Sequence, residues 1–357
     1  MYRKWILLVS TLLVLILAVA ACAAPAPASD APADAPAADA PAADAGEAAA
    51  DSDGPFRIAI VMPSSTTDIA WSQAMYDALV AVQTEMGGEG ALEIAYSENM
   101  FQVTDAAAAI RDYAADGYDL VIAHGTQYGN SMFEVATDFP ETSFAWGTAN
   151  DTGAEQGHEN IFAYEAQAQE GGYVNGVIAA MLSTSNIIGV VGPVEAGDAK
   201  LYIDGFVAGV KATKPDAEVN ISYTGSFGDT ALAAEAANTH IKAGADVLTG
   251  SAQQVVGAIG VAAENSVPWL GTQSDQTSLA PDYVVANQIY DWVGAVKDMI
   301  ELHKTGTLGG KVYNLTLADG LRMSLNDNPL ITDEIKAAAE QAIEEIKAGT
   351  IDPMPAE

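Results

Sequence analysis

From Phe56 onward, short apolar runs alternate with longer segments of helical period, and few folds accommodate that alternation. Phe56 to Met62 reads as a buried strand, followed by a helix from about Ile69 to Met86. A strand over Leu92 to Tyr96 leads to a helix over Val103 to Ala115, and a strand over Asp119 to Ala123 leads to a helix over Ser131 to Phe139. Ser143 to Trp146 is the next strand. The cycle restarts with a strand at Ile161 to Tyr164 and a helix from Gln167 to Leu182. Strands at Ile187 to Val191, Glu218 to Tyr223 and Asp246 to Leu248 precede helices near Leu201 to Thr213, Thr230 to Ala243 and Gln253 to Asn265, and Pro268 to Leu270 closes the series. Strands that are apolar along their length bury both faces, which requires parallel sheets covered by helices on each side. Two successive sets of units predict an α/β protein of two doubly wound lobes rather than one very wide sheet.

In such sheets ligands sit beyond the carboxyl ends of the strands. The residues found there include Pro63-Ser64-Ser65, Ser97-Glu98-Asn99, His124-Gly125-Thr126-Gln127, Gly192-Pro193, Gly225-Ser226-Phe227, Gly250-Ser251-Ala252-Gln253 and Gly271-Thr272-Gln273-Ser274-Asp275. Any one of them is explained by a turn or a helix cap. As a set at one edge, their short neutral side chains suit hydrogen bonding to an uncharged polar small molecule. The chain carries 14 basic and 48 acidic residues, a net charge of −34, and a field of that sign repels nucleic acid and other anionic partners.

The N-terminus sets the compartment. Arg3 and Lys4, an apolar run from Trp5 to Ala20, and Val19-Ala20-Ala21-Cys22 follow the order of an export signal over residues 1–21, with an apolar core too short to span a bilayer. Cys22 is the only cysteine, so no intramolecular disulfide is possible. Val19-Ala20-Ala21-Cys22 looks like a lipobox, in which the Cys22 thiol is acylated; a secretory signal with an incidental cysteine is the alternative. Residues 22–54, almost all Ala, Pro and Asp after Cys22, read as an extended solvated tether. A lipid-anchored protein on the extracytoplasmic face of the cell membrane is therefore expected.

Catalytic constellations are missing from the sequence. His124, His158, His240 and His303 are scattered without a zinc pattern, and neither a G-x-S-x-G elbow nor a phosphate-binding G-x-x-x-x-G-K-[ST] loop occurs. No enzyme activity, metal or cofactor is expected. An exported, tethered, two-lobed protein of this kind reads as a monomeric receptor for a small solute.

Several segments carry a resemblance: Asp68-Ile69-Ala70-Trp71, Glu170-Gly171-Gly172-Tyr173-Val174-Asn175-Gly176-Val177, Gly205-Phe206-Val207-Ala208-Gly209-Val210, Tyr223-Thr224-Gly225-Ser226-Phe227-Gly228-Asp229 and Ser274-Asp275-Gln276. Through them the body resembles the basic membrane protein family of substrate-binding lipoproteins, whose purine-nucleoside receptors serve ABC importers. The resemblance implies a type I periplasmic binding protein fold, two Rossmann-like lobes joined by a three-segment hinge, and an ABC permease as partner. It also implies a first lobe of residues 55–163 with about 288–306, and a second of 164–287 with about 307–351. An aromatic from each lobe would sandwich a purine; these positions match Trp71 and Phe227. The acid and lysine that hold a nucleoside's sugar are replaced by Gln273 and Tyr290, so a free base is as well suited as a nucleoside. Asp68, Asn99, Ser251 and Asp275 complete the expected ligand-binding set. Competing expectations are a receptor for a simple sugar or other small polar metabolite, a ligand sensor, and an exported nucleoside hydrolase using Asp68, Asp275 or His124.

Overall fold

The computed structural model describes residues 54–354. The expected export signal, Cys22 and the tether as far as residue 53 lie outside the described residues. Strands β1 (Phe56–Val61), β2 (Leu92–Ser97), β3 (Leu120–His124), β4 (Ser143–Gly147) and β5 (Ile161–Ala166) form a parallel sheet in the order β5-β4-β3-β1-β2. A second sheet repeats the pattern with β6 (Ile187–Gly192), β7 (Glu218–Tyr223), β8 (Val247–Gly250), β9 (Trp269–Gly271) and β10 (Val284–Tyr290), in the order β10-β9-β8-β6-β7. Then β11 (Val312–Leu315) returns to the first sheet, parallel beside β5, and β12 (Leu321–Leu325) pairs antiparallel with β10.

The side-chain alternation of each strand explains the layering. Ile58 and Ile60 of β1 face one core with α1 (Trp71–Met86), while Ala59 and Val61 face another with α2 (Val103–Ala115) and α3 (Gly129–Asp138). In the second sheet Ile188 and Val190 join the core beneath α4 (Ala168–Leu182) and α5 (Gly197–Thr213). Val191 and Leu248 face the opposite core, beneath α6 (Thr230–Lys242) and α7 (Val255–Glu264). Helix α8 (Val293–Lys304) packs on α1, and α9 (Asp333–Lys347) packs on α4. Each sheet thus carries helices on both faces, the expected pair of doubly wound lobes.

The glycine-rich segments that carried the resemblance are explained by one contact. Helices α4 and α5 meet backbone to backbone: a Cβ on Gly172 or Gly176 would stand 2.3 or 2.2 Å from the carbonyl oxygens of Tyr202 and Phe206. Gly205 and Gly209 reciprocate, 2.2 and 2.1 Å from the carbonyls of Gln169 and Tyr173. Only glycine allows so close an approach. These motifs build the scaffold of the second lobe rather than its ligand site.

The chain crosses between sheets three times, after β5, after β10 and after β11. Backbone bonds tie the crossings together: Gln167 N–H to Leu315 O at 2.8 Å, and Asp291 N–H to Gly320 O at 2.8 Å. The last crossing falls after Leu315, later than the boundary expected near 306, because the four residues of β11 add an edge strand to the first sheet. That strand is too short to show a period in sequence. Two further differences matter. The strand series continues through β10 beyond Leu270, and α5 begins at Gly197, a turn earlier than expected.

Candidate functional site

The carboxyl ends of both sheets face one another across a cleft of about 500 Å³, its mouth included. The cleft is a narrow slot. Pro63, Trp71, Phe101, Gln127 and Thr148 line it from the first lobe, and Asp198, Phe227, Gln253 and Gln273 from the second. The lobes meet closely at two glycines on its rim. A Cβ on Gly197 would lie 3.1 Å from Thr148 Oγ1, and one on Gly228 would lie 3.1 Å from the ring of Phe101.

Trp71 opens α1, and Asp68 is the reason the helix starts there. The Asp68 carboxylate accepts the backbone N–H groups of Ala70, Ser72 and Gln73 at 2.9, 3.1 and 3.0 Å, taking donors that a first turn otherwise leaves free. Burial raises its carboxyl above the usual range, against the pull of those bonds. Asp68 is outside the lining of the slot and acts through the helix it caps.

One face of Trp71 is covered by His124, with ring centroids 4.1 Å apart and planes within 4°. Trp71 Nε1–H donates to the His124 carbonyl at 3.1 Å, and His124 Nε2 lies 2.9 Å from the Trp71 carbonyl. A carbonyl only accepts, so Nε2 carries the proton, and Nδ1 accepts from the Tyr164 hydroxyl at 2.6 Å. Burial lowers the pKa of His124 to about 3, so the ring is neutral across the ordinary pH range. His124 is fully buried, outside the lining, and serves as the backing plate of Trp71. Edge-on contacts from Trp292 at 6.1 Å and Tyr290 at 6.3 Å complete the clamp. Trp71, 6% exposed, is at once a core residue and a wall of the slot.

Phe227 approaches from the other lobe, half-buried on the loop between β7 and α6, with its carbonyl accepting Gln254 N–H at 2.9 Å. Gln273 follows β9 in a left-handed conformation, φ 74°, strained for a side chain of its kind and held by its neighbours. Its carbonyl accepts Tyr290 N–H at 3.0 Å, and its Nε2 donates to Asp198 Oδ2 at 2.9 Å. The Tyr290 hydroxyl donates to the same oxygen at 3.0 Å. Burial raises the Asp198 carboxyl above its ordinary range, although both of these bonds act to lower it.

Of the eight expected ligand residues, the slot gathers Trp71, Phe227 and Gln273, with Tyr290 one hydrogen bond behind Asp198. Asn99 is exposed after β2, at φ 62°. Ser251 is fully buried under the floor, its hydroxyl without a partner. Asp275 points away, accepting Thr277 N–H at 2.9 Å and Asn287 Nδ2–H at 3.1 Å on a separate groove shared with Asp77 and Arg322. Sequence reasoning missed Asp198 and Phe101. The signal for Asp198 was an acid in a Gly197-Asp198 step, where it opens α5, the end of a helix that favours negative charge. Phe101 left no sequence signal beyond being aromatic. Among the described residues, no cluster of histidine, cysteine or acidic groups is arranged to hold a metal, and no helix is long and apolar enough to cross a membrane.

Residues 56–352 match the Bmp family, described as ABC transporter substrate-binding protein PnrA-like, and the chain belongs to that family. It is 27% identical over 306 residues to a purine-binding protein of Brucella abortus, covering 85% of each chain. It is 24% identical over 281 residues to the transcriptional activator protein med of Bacillus subtilis, covering 78% of this chain and 85% of that one. Its fold is like that of an ABC transporter system solute-binding protein from Conexibacter woesei, with a TM-score of 0.70, 24% identity, and coverage of 84% and 98%. The resemblance read from the sequence is therefore to the right family, and the lobes have the type I arrangement it implied.

Proposed function

We propose that this ABC transporter substrate-binding protein is a purine receptor that clamps a free base or nucleoside between Trp71 and Phe227. The observation that carries the reading is the slot itself: narrow, open between two lobes, and lined by aromatic side chains from opposite sides, Trp71 and Phe101 on one and Phe227 on the other. A flat heterocycle buries both faces in such a slot, each aromatic contact contributing about 0.5–1.5 kcal/mol beyond area burial. Arg, Lys and His are absent from the lining, which disfavours phosphorylated ligands. The similarity to a purine-binding protein supports the same ligand class. Acylation at Cys22 would hold the receptor at the extracytoplasmic membrane surface, from which it would deliver its ligand to an ABC permease.

The test is a calorimetric panel of purine bases, purine nucleosides and simple sugars. Binding of at least one purine with no measurable sugar binding is expected; binding confined to sugars contradicts the proposal. The likeness to a transcriptional activator gives a second reading, a ligand sensor, some weight. Sequencing the neighbouring genes, and reconstitution with any ABC permease and ATPase encoded there, separate the two: a receptor stimulates uptake and ATP hydrolysis, and a sensor does not.

A further inference from the structure

Resting on that reading, we propose that the inner wall of the slot selects a purine carrying an exocyclic amino group, and that Asp198 is the residue that makes the selection. Three observations converge on it. Asp198 is the single charged side chain in the lining, and it is buried, 7% exposed. Its Oδ2 is already bonded to Gln273 and Tyr290, which fixes the carboxylate in place at the N-terminus of α5. The amide orientation of Gln273 is fixed in the same way: with Nε2 committed to Asp198, its Oε1 is left as a buried acceptor with no partner.

Gln253, 7% exposed and also in the lining, has a second unpartnered Oε1. The deep wall therefore presents two fixed acceptors, the Asp198 carboxylate and Gln273 Oε1, beside the amide of Gln253, whose buried oxygen is a third. The Thr126 hydroxyl at the slot is spent, donating to the Thr148 carbonyl at 3.1 Å. Buried acceptors without donors are costly, so a ligand fits best when its inner edge supplies N–H groups. Purines differ in this respect. An amino group adds two donors at the ring edge, whereas an oxo group adds one ring N–H together with an acceptor, which would be directed at an oxygen. A site built on hydrogen bonds discriminates strongly against an analogue that lacks them.

The experiment is calorimetric titration of the purified protein with adenine, guanine, hypoxanthine and unsubstituted purine. The tighter of the two amino bases is expected to bind at least about tenfold more strongly than either base lacking the amino group. Asp198→Asn, which keeps the shape and removes the charge, is expected to bring that ratio within about threefold, with thermal melting confirming the fold. Because Asp198→Asn also sets an amide against two buried donors, Gln253→Leu provides a second variant that leaves the Asp198 network intact. It is expected to reduce the ratio at least about threefold. Equal or tighter binding of hypoxanthine by the unaltered protein overturns the inference, as does a ratio preserved in the folded variants. Failure of the unaltered protein to bind any purine overturns instead the purine reading beneath it.

Discussion

Trp71 and His124 are locked face to face, ring centroids 4.1 Å apart, with each side chain hydrogen-bonded to the other's backbone carbonyl. The pairing ties the start of α1 to the end of β3, so a wall of the slot is built from the core of the first lobe. Rigidity on that side is what a stacking platform requires, since the ligand then orders little of the protein when it binds.

Trp71→Ala should therefore cost both binding and stability. It opens a cavity among His124, Tyr290 and Trp292, and losses of this kind run to about 3–5 kcal/mol. Purine affinity should also fall at least about tenfold. Chemical denaturation and calorimetry on the same samples check both; a variant as stable as the parent would place Trp71 outside the core.

Phe227→Ala separates the two effects. The ring is half-buried on a loop, so truncation should cost about 1 kcal/mol or less of stability while weakening purine binding by about tenfold. Loss of stability with unchanged binding would make Phe227 a loop plug instead.

The rim glycines bear on closure. Leucine at Gly228 would strike the ring of Phe101, 3.1 Å from the new Cβ, and hold the lobes apart. Stopped-flow measurements on Gly228→Leu should show faster purine release with little change in melting temperature. Release at the parental rate would mean that closure does not need this contact.

His124 makes stability pH-dependent with a definite sign. Its folded value near 3 lies below the ordinary 6.5, so between those limits the unfolded chain binds the extra proton and stability falls as pH falls. The contribution is at most about 1.4 kcal/mol per pH unit. Asp68 and Asp198, raised by burial, act in the opposite direction: their stabilising share is present at low pH and lost as pH rises through their raised values. The advantage of the parent over His124→Gln should thus shrink from pH 7 to pH 4 and stay level above about pH 7.5. A difference constant over the whole range would contradict the buried neutral ring.

How much of this was legible beforehand depends on the kind of signal each residue leaves. The strands of both sheets announced themselves because full burial demands unbroken apolar runs such as Ile58 to Met62. Trp71, Phe227 and Gln273, which line the slot, were singled out through the family resemblance, and Gln273 also through its place after a strand. Asp68 and Asp275, expected as ligand contacts, stand outside the lining of the slot, because a helix or turn cap and a ligand-binding carboxylate look alike in sequence until the backbone donors around them are seen. Asp198 stayed hidden because α5 was read from its apolar period, which starts at Leu201, and the turn that carries the acid offers only the small Ala199 to mark it. The four-residue β11 was invisible for a related reason, since its membership of the first sheet is set by pairing with β5.

The central claim, a purine held flat between Trp71 and Phe227, is tested most directly by native mass spectrometry of the freshly purified protein beside its Phe227→Ala variant, each also supplied with an equimolar mixture of purines and sugars. The account predicts a one-to-one complex whose added mass is that of a purine base or nucleoside, largely lost in the variant. An added mass matching a sugar, or a purine complex equally populated in both proteins, would contradict it.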